Sequence, residues 1–328
     1  MTINDPVLSI RDLRVSFRTP NGPVQAVRGI DLDVGAGELV GIVGESGSGK
    51  SVSFLGVMGL LPRTATITGS ATVGGTQLIG AKSSVMRSVR GKRVSMVFQD
   101  PLSALNPVQR IGNQVVEMIR AHSNIEKYEA RARAVELLDI VGIPQPMARA
   151  RQYPHEFSGG MRQRVMIAMA IANDPEVLIA DEPTTALDVT VQAQILEVIQ
   201  RIQRDMRTAV VLITHDLGVI ARVAERVQVM YAGRAVERAD VKSLFDHPSH
   251  PYTVGLLHSL PRLGQERLMP IPGSPPNMLR PPSGCAFRAR CEHAEDVCAG
   301  RIPELVPFEG SETACVRINE LQLEGTRS

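Results

Sequence analysis

Three short segments of this chain carry residues whose types and spacing suit phosphate chemistry. Residues 44–51 read GESGSGKS. Gly44, Gly47 and Gly49 let successive backbone amides turn inward as an anion nest. Glu45, Ser46 and Ser48 complete the loop around the nucleotide. Lys50 supplies a cation able to reach terminal phosphates, and Ser51 a hydroxyl able to ligate Mg²⁺. Residues 177–182 read VLIADE, an apolar run ending in two carboxylates. Asp181 suits holding Mg²⁺ through water, and Glu182 suits polarising an attacking water as general base. Between these segments lies FSGGMRQR at 157–164, where Ser158, Gly159, Gly160 and Met161 open a further helix N-terminus fit for an anion. Together, in this order, the three imply an ATPase.

The flanking sequence supplies the elements that must position these groups. VLSIRDLRVSF, AVRGIDLDV and GELVGIVG alternate as strands, with a reversal at Asn21, Gly22 and Pro23. ELVGIV enters the phosphate loop, and SVSFLGVMGLL leaves it as a helix that Pro62 ends. Residues 66–80 are Thr- and Gly-rich and are expected to join the early strands in an antiparallel sheet. From Ile111 to about Ala150 the apolar spacing is helical. RVMIAMAIAND and AQILEVIQRIQRDM read as helices, EVLIAD and AVVLITH as strands buried on both faces, and QVMYAGRAVERA as a closing hairpin. Strands alternating with helices predict an α/β fold with a mainly parallel sheet and helices on both faces.

Composition bounds the functional classes. The 328 residues are 43% hydrophobic, enough for a large core plus an extension. A net charge of +2, with 3% aromatic residues and no Trp, points away from a nucleic-acid partner. The basic run MRSVRGKR at 86–93 reads as a solvated face. The charged N-terminus does not resemble a secretory signal, and no stretch approaches the roughly 18–20 apolar residues of a membrane helix. The chain is expected to be soluble and to reach any membrane by docking on other chains.

Composition changes after about residue 240. Seven prolines fall between Pro261 and Gly284, which predicts an extended arm rather than regular structure. All four cysteines follow: Cys285, Cys291, Cys298 and Cys315. A late cysteine cluster in an intracellular protein points to metal before disulfide. The spacing matches neither zinc-ribbon pairs nor ferredoxin runs. Four buried thiols packing a loop-rich tail remain an alternative.

The set resembles the ATP-binding cassette proteins across residues 7–240. That resemblance implies a P-loop NTPase (RecA-like) core with an antiparallel β subdomain and a helical subdomain inserted at about residues 100–170. On this resemblance Gln99 in MVFQDP is the glutamine that senses Mg²⁺ and water, and SGG at 158–160 is the signature acting in trans. Asp188 in TTALD belongs to the loop that communicates across the dimer. His215 in LITHD is the switch histidine on the γ-phosphate, and Phe17 stacks on adenine. Lys50 and Ser158 stand about one hundred residues apart, too few for the long coiled coils of the DNA-repair relatives.

Three further stretches are similar to the ATP-binding subunits of peptide permeases: QDPLSALNP at 99–107, PHEFSGGMRQRVMIAMAIA at 154–172, and HPSHPYT at 247–253 with PPSGCAFRARC at 281–291. They imply a motor for import of dipeptides or oligopeptides, with residues 241–328 as the family's Pro- and Cys-rich C-terminal extension. The partners implied are a second ATPase subunit (a paralogous heterodimer), two transmembrane permease subunits and an extracytoplasmic binding protein. The place of work is the cytoplasmic face of the inner membrane. ATP and Mg²⁺ are the implied ligands, and the resemblance suggests a [4Fe–4S] cluster at the four cysteines, with zinc second. Import of nickel or another small solute, or a non-transport cassette ATPase with a regulatory C-terminal module, stays open.

Overall fold

The computed structural model describes residues 5–100, 104–185, 187–260 and 270–325. The start of the proline-rich arm (261–269) and residues 101–103 of the QDPLSALNP stretch lie outside the described residues. The chain falls into two compact units interleaved in sequence. One comprises Met1–Leu8, Asp33–Leu39 and Thr72–Leu212; the other comprises Ser9–Leu32, Val40–Ala71 and Ile213–Ser328. The acidic strand and the SGG segment belong to the first. The phosphate loop, His215 and the four cysteines belong to the second.

In the phosphate-loop unit, strands Gly22–Val34, Leu8–Thr19 and Ala65–Val73 are neighbours in one sheet, as the alternating sequence predicts. Leu8 and Ile10 are buried, then Leu13 and Val15, so the alternation changes phase at Asp12. Asp12 sits at φ 42, and a Cβ on Gly69 would lie 2.4 Å from the Asp12 carbonyl oxygen. The extra residue is a bulge, and Gly69 lets the neighbouring backbone approach it. A second run of strands has the order Val306–Phe308, Ser311–Thr313, Arg234–Asp240, Arg226–Tyr231, Leu39–Val43. Arg226–Tyr231 pairs parallel with Leu39–Val43 and antiparallel with Arg234–Asp240. The predicted closing hairpin turns through Ala232 and Gly233, both at positive φ, which matches the strand twist.

Leu39–Val43 is buried throughout and aims the chain at the phosphate loop. The helix after the loop spans Lys50–Val57, shorter than the sequence reading toward Pro62. Gly59, at φ 60, ends it: its amide bonds to the Gly56 carbonyl, and the Leu60 amide to that of Leu55.

In the other unit, Val94–Val97, Val177–Asp181 and Ala209–Ile213 lie side by side, and the first two pair parallel. All three strands are buried along their length, which accounts for their unbroken apolar sequence. Helices Ile111–Arg120, Lys127–Ile140 and Gly159–Ala170 pack against one another. The helical pattern read from Ile111 to Ala150 is therefore broken twice. The first break precedes Glu126, whose amide is capped by Glu129, and the second follows Ile140, where Gly142 takes φ 74 before Pro144.

Candidate functional site

The loop at 44–51 has the conformation its glycines allow. Gly44, Gly47 and Gly49 take φ 147, 78 and 97. A Cβ on Gly44 would lie 2.1 Å from the Met230 carbonyl oxygen, and one on Gly49 2.5 Å from that of Ala26. A Cβ on Gly47 would meet nothing within 4 Å, so only its backbone conformation demands glycine. Lys50 Nζ donates to the carbonyl oxygens of Gly44 (2.6 Å) and Glu45 (3.0 Å), which folds its side chain back over the loop. Ser48 Oγ is buried without a hydrogen-bond partner among the described residues. The helix Lys50–Val57, which carries Ser51 in its first turn, has no side-chain cap at Gly49. An orphan hydroxyl, a lysine turned inward and an uncapped helix N-terminus fit a polyphosphate.

At the end of the buried strand Val177–Asp181, Asp181 is 7% exposed. Glu182 follows at φ 46, a left-handed conformation that costs a non-glycine residue about 1–3 kcal/mol and clusters at working sites. Its Oε2 accepts from Gln99 Nε2 at 3.0 Å and from Thr185 Oγ1 at 2.9 Å. The structure thus brings together two predicted residues, Gln99 and Glu182, 83 positions apart in sequence. Thr185 was not anticipated, although a hydroxyl three residues after a carboxylate in a turn is a local signal.

Ser158 is the exposed N-cap of the helix Gly159–Ala170, and its Oγ accepts from the Met161 amide at 3.3 Å. Gly160 is buried, and a Cβ there would lie 2.4 Å from Val191 Cγ1, so this glycine lets the helix Val189–Asp205 approach. Asp188 caps that second helix by accepting from the Val191 amide at 2.9 Å. His215 is exposed just past Ala209–Ile213. Phe17 is half-buried on Leu8–Thr19, outside the core.

The four cysteines are free thiols lining one cavity of about 20 Å³, with His250, Phe287 and His293 among its other walls. Burial pushes the Cys285 and Cys315 thiols up and Cys291 to about 11, which favours their protonated forms. Among the described residues no three Cys, His, Asp or Glu side chains come together as a metal-holding group. As arranged, the thiols share a cavity but do not form a ligand set. No helix among the described residues is long and apolar enough to cross a membrane.

The geometry agrees with what this chain is similar to. Residues 27–185 match the ABC transporter family, and residues 236–298 match the oligopeptide/dipeptide transporter C-terminal region. The oligopeptide transport ATP-binding protein OppD of Escherichia coli is 49% identical over 91% of this chain and 89% of its own length. The dipeptide transport ATP-binding protein DppD of Bacillus subtilis is 52% identical over 90% and 89%. Among solved structures, the cassette MJ0796, a dimer in a post-hydrolysis state with ADP and Pi, has a TM-score of 0.64 at 26% identity. That likeness covers 71% of this chain and 98% of that one. The chain therefore belongs to the ABC transporter ATP-binding family, as an ATPase with a P-loop α/β fold and a C-terminal region of the oligopeptide/dipeptide type.

Proposed function

We propose that this chain is the motor subunit of an importer of dipeptides or oligopeptides, working at the cytoplasmic face of the inner membrane. The observation that carries the cargo class is the match of residues 236–298 to the oligopeptide/dipeptide C-terminal region. Its partners on this reading are a paralogous second ATPase, two permease subunits and an extracytoplasmic binding protein. The cassette spans residues 1–240, with its helical subdomain at about 100–170, and residues 241–328 form the extension.

Each site residue takes a role consistent with its surroundings. The amides of residues 44–51 and the Lys50 ammonium hold the phosphates. Ser51, Asp181 and Gln99 would hold Mg²⁺, which when bound neutralises phosphate charge. Glu182, steadied by Gln99 and Thr185, takes the proton of the attacking water. His215 attends the γ-phosphate and Phe17 the adenine. Ser158 to Met161 close over the partner's nucleotide, and Asp188 carries the signal across the dimer.

The test is uptake of labelled di- and oligopeptides in cells carrying Glu182→Gln at normal expression. The variant is expected to bind ATP, to hydrolyse it about 10²–10⁴-fold more slowly, and to abolish uptake. Hydrolysis at the wild-type rate would remove Glu182 as the base. Unchanged peptide uptake in a strain without a redundant permease would move the cargo to nickel or another small solute. A [4Fe–4S] cluster at the cysteines, or zinc in second place, rests on the resemblance and on their shared cavity. Anaerobically purified protein without stoichiometric iron, sulfide or zinc would eliminate both.

A further inference from the structure

Glu45 places a carboxylate in a loop built to receive phosphates, and the C-terminal segment neutralises it. Arg290 Nη1 and Nη2 donate to Glu45 Oε2 and Oε1 at 2.6 and 2.9 Å, a bidentate pair across 245 positions of sequence. The Arg290 side chain is 3% exposed and that of Glu45 28%. Arg290 is itself locked in place. Its Nε donates to the Pro272 carbonyl oxygen at 2.8 Å and its Nη2 to that of Ile271 at 3.2 Å. Its guanidinium lies 5.8 Å from the Tyr231 ring centroid and 6.0 Å from that of Phe287. A bidentate fork with a stacked plane is a geometry that lysine does not reproduce.

The same loop residue is held at its other polar groups. The Glu45 amide donates to the Tyr252 hydroxyl at 2.8 Å. Tyr252 is fully buried, with its ring 4.6 Å from that of Tyr231 and 5.3 Å from that of Phe287. The Glu45 carbonyl oxygen receives Lys50 Nζ at 3.0 Å and the Ser48 amide at 3.2 Å. A continuous path therefore runs from Arg290 through Glu45 to the lysine of the phosphate loop. Its far end lies next to Cys291, in a segment that no motif of the loop announces.

We propose that Arg290 is a positioning residue for nucleotide binding: it fixes the phosphate loop through Glu45 and cancels a carboxylate that would otherwise repel the incoming phosphates. This role rests on the reading of the chain as an ATPase. Truncating the arginine should weaken nucleotide binding through the charge it uncovers. Removing that charge from Glu45 should then restore much of the affinity.

The experiment titrates a fluorescent ATP analogue with Mg²⁺ into the purified full chain and follows steady-state hydrolysis in parallel. Arg290→Met is expected to raise Kd and KM roughly tenfold, with kcat at saturating ATP changing far less. Arg290→Lys should fall between wild type and Arg290→Met. Glu45→Gln combined with Arg290→Met should bind within about twofold of Glu45→Gln alone, the non-additivity expected of a direct pair. A merely structural arginine, anchoring Ile271 and Pro272, would give additive losses and no such rescue. Where Arg290→Met fails to fold, Arg290→Lys with and without Glu45→Gln completes the same cycle. Wild-type affinity in the arginine variants, or additive effects, overturns the proposal. A wild-type chain that binds no ATP analogue overturns the ATPase assignment instead.

Discussion

Glu237 offers a perturbation whose size follows from its surroundings. It lies on Arg234–Asp240, is fully buried, and its Oε1 accepts from the Ser249 amide at 2.8 Å. Glu237 Oε2 and Thr253 Oγ1 are both buried with no hydrogen-bond partner among the described residues. Burial pushes this carboxyl from 4.5 up to about 7, against the nearby Thr253 hydroxyl and the Ser249 and His250 amides, which pull it back. The sign follows by linkage. Below about pH 4.5 the carboxyl is protonated in both states and costs nothing. As pH rises toward 7 the unfolded chain ionises first, so the fold loses stability. Above about pH 7 the loss is complete and amounts to about 3 kcal/mol. Glu237→Gln abolishes this cost, and its amide can donate to Thr253 Oγ1. In urea unfolding the variant should stand within about 1 kcal/mol of wild type near pH 5 and about 3 kcal/mol above it near pH 8. Parallel pH profiles for the two proteins would overturn this account of the buried carboxyl. The consequence reaches the site, because Ser249 leads directly into His250 and Tyr252, and the Tyr252 hydroxyl holds the Glu45 amide.

Other expectations follow from contacts in the two units. Gly44→Ala should abolish binding of an ATP analogue, because its Cβ would meet the Met230 carbonyl oxygen at 2.1 Å. Gly47→Ala, with open space around it, should cost only about 1–2 kcal/mol of backbone strain in a thermal melt and retain binding. Equal behaviour of the two variants would count against the loop geometry. Thr185→Val removes one hydrogen bond to Glu182 and should lower kcat about three- to tenfold with KM for ATP unchanged. An unchanged kcat would remove the hydroxyl from the base's support. Gly160→Val should separate Gly159–Ala170 from Val189–Asp205 and lower the melting temperature, since even a Cβ would lie 2.4 Å from Val191 Cγ1. A melt identical to wild type would show that the helices can part freely.

What was legible in the sequence is what chemistry restricts to few residue types. A nest of amides requires glycine, and a strand buried on both faces reads as unbroken Val, Leu and Ile. Gly44 and the strand Val177–Asp181 could be read for those reasons. The parts that escaped are of a different kind. Val306–Phe308 and Ser311–Thr313 are too short to show alternation, and Pro307 argues against a strand unless it lies at an edge. That is where it lies, at the end of the strand order. The break before Glu126 was hidden because the apolar spacing on either side stays close to helical.

The partners of Glu45 escaped for a stronger reason. An arginine after a cluster of prolines and a tyrosine in HPSHPYT are ordinary residues, and neither has a spacing that relates it to position 45. Only the fold makes them neighbours of the phosphate loop, at separations of 245 and 207 residues. Functional groups that touch the nucleotide are constrained by its chemistry and leave motifs, whereas the groups that hold them are constrained only by packing and pairing. Glu45 shows the difference within one residue. Its place in GESGSGKS assigns it to the loop, yet a carboxylate there is at odds with bound phosphate until Arg290 is seen beside it. The pairing that resolves this required the C-terminal segment to be folded against the loop.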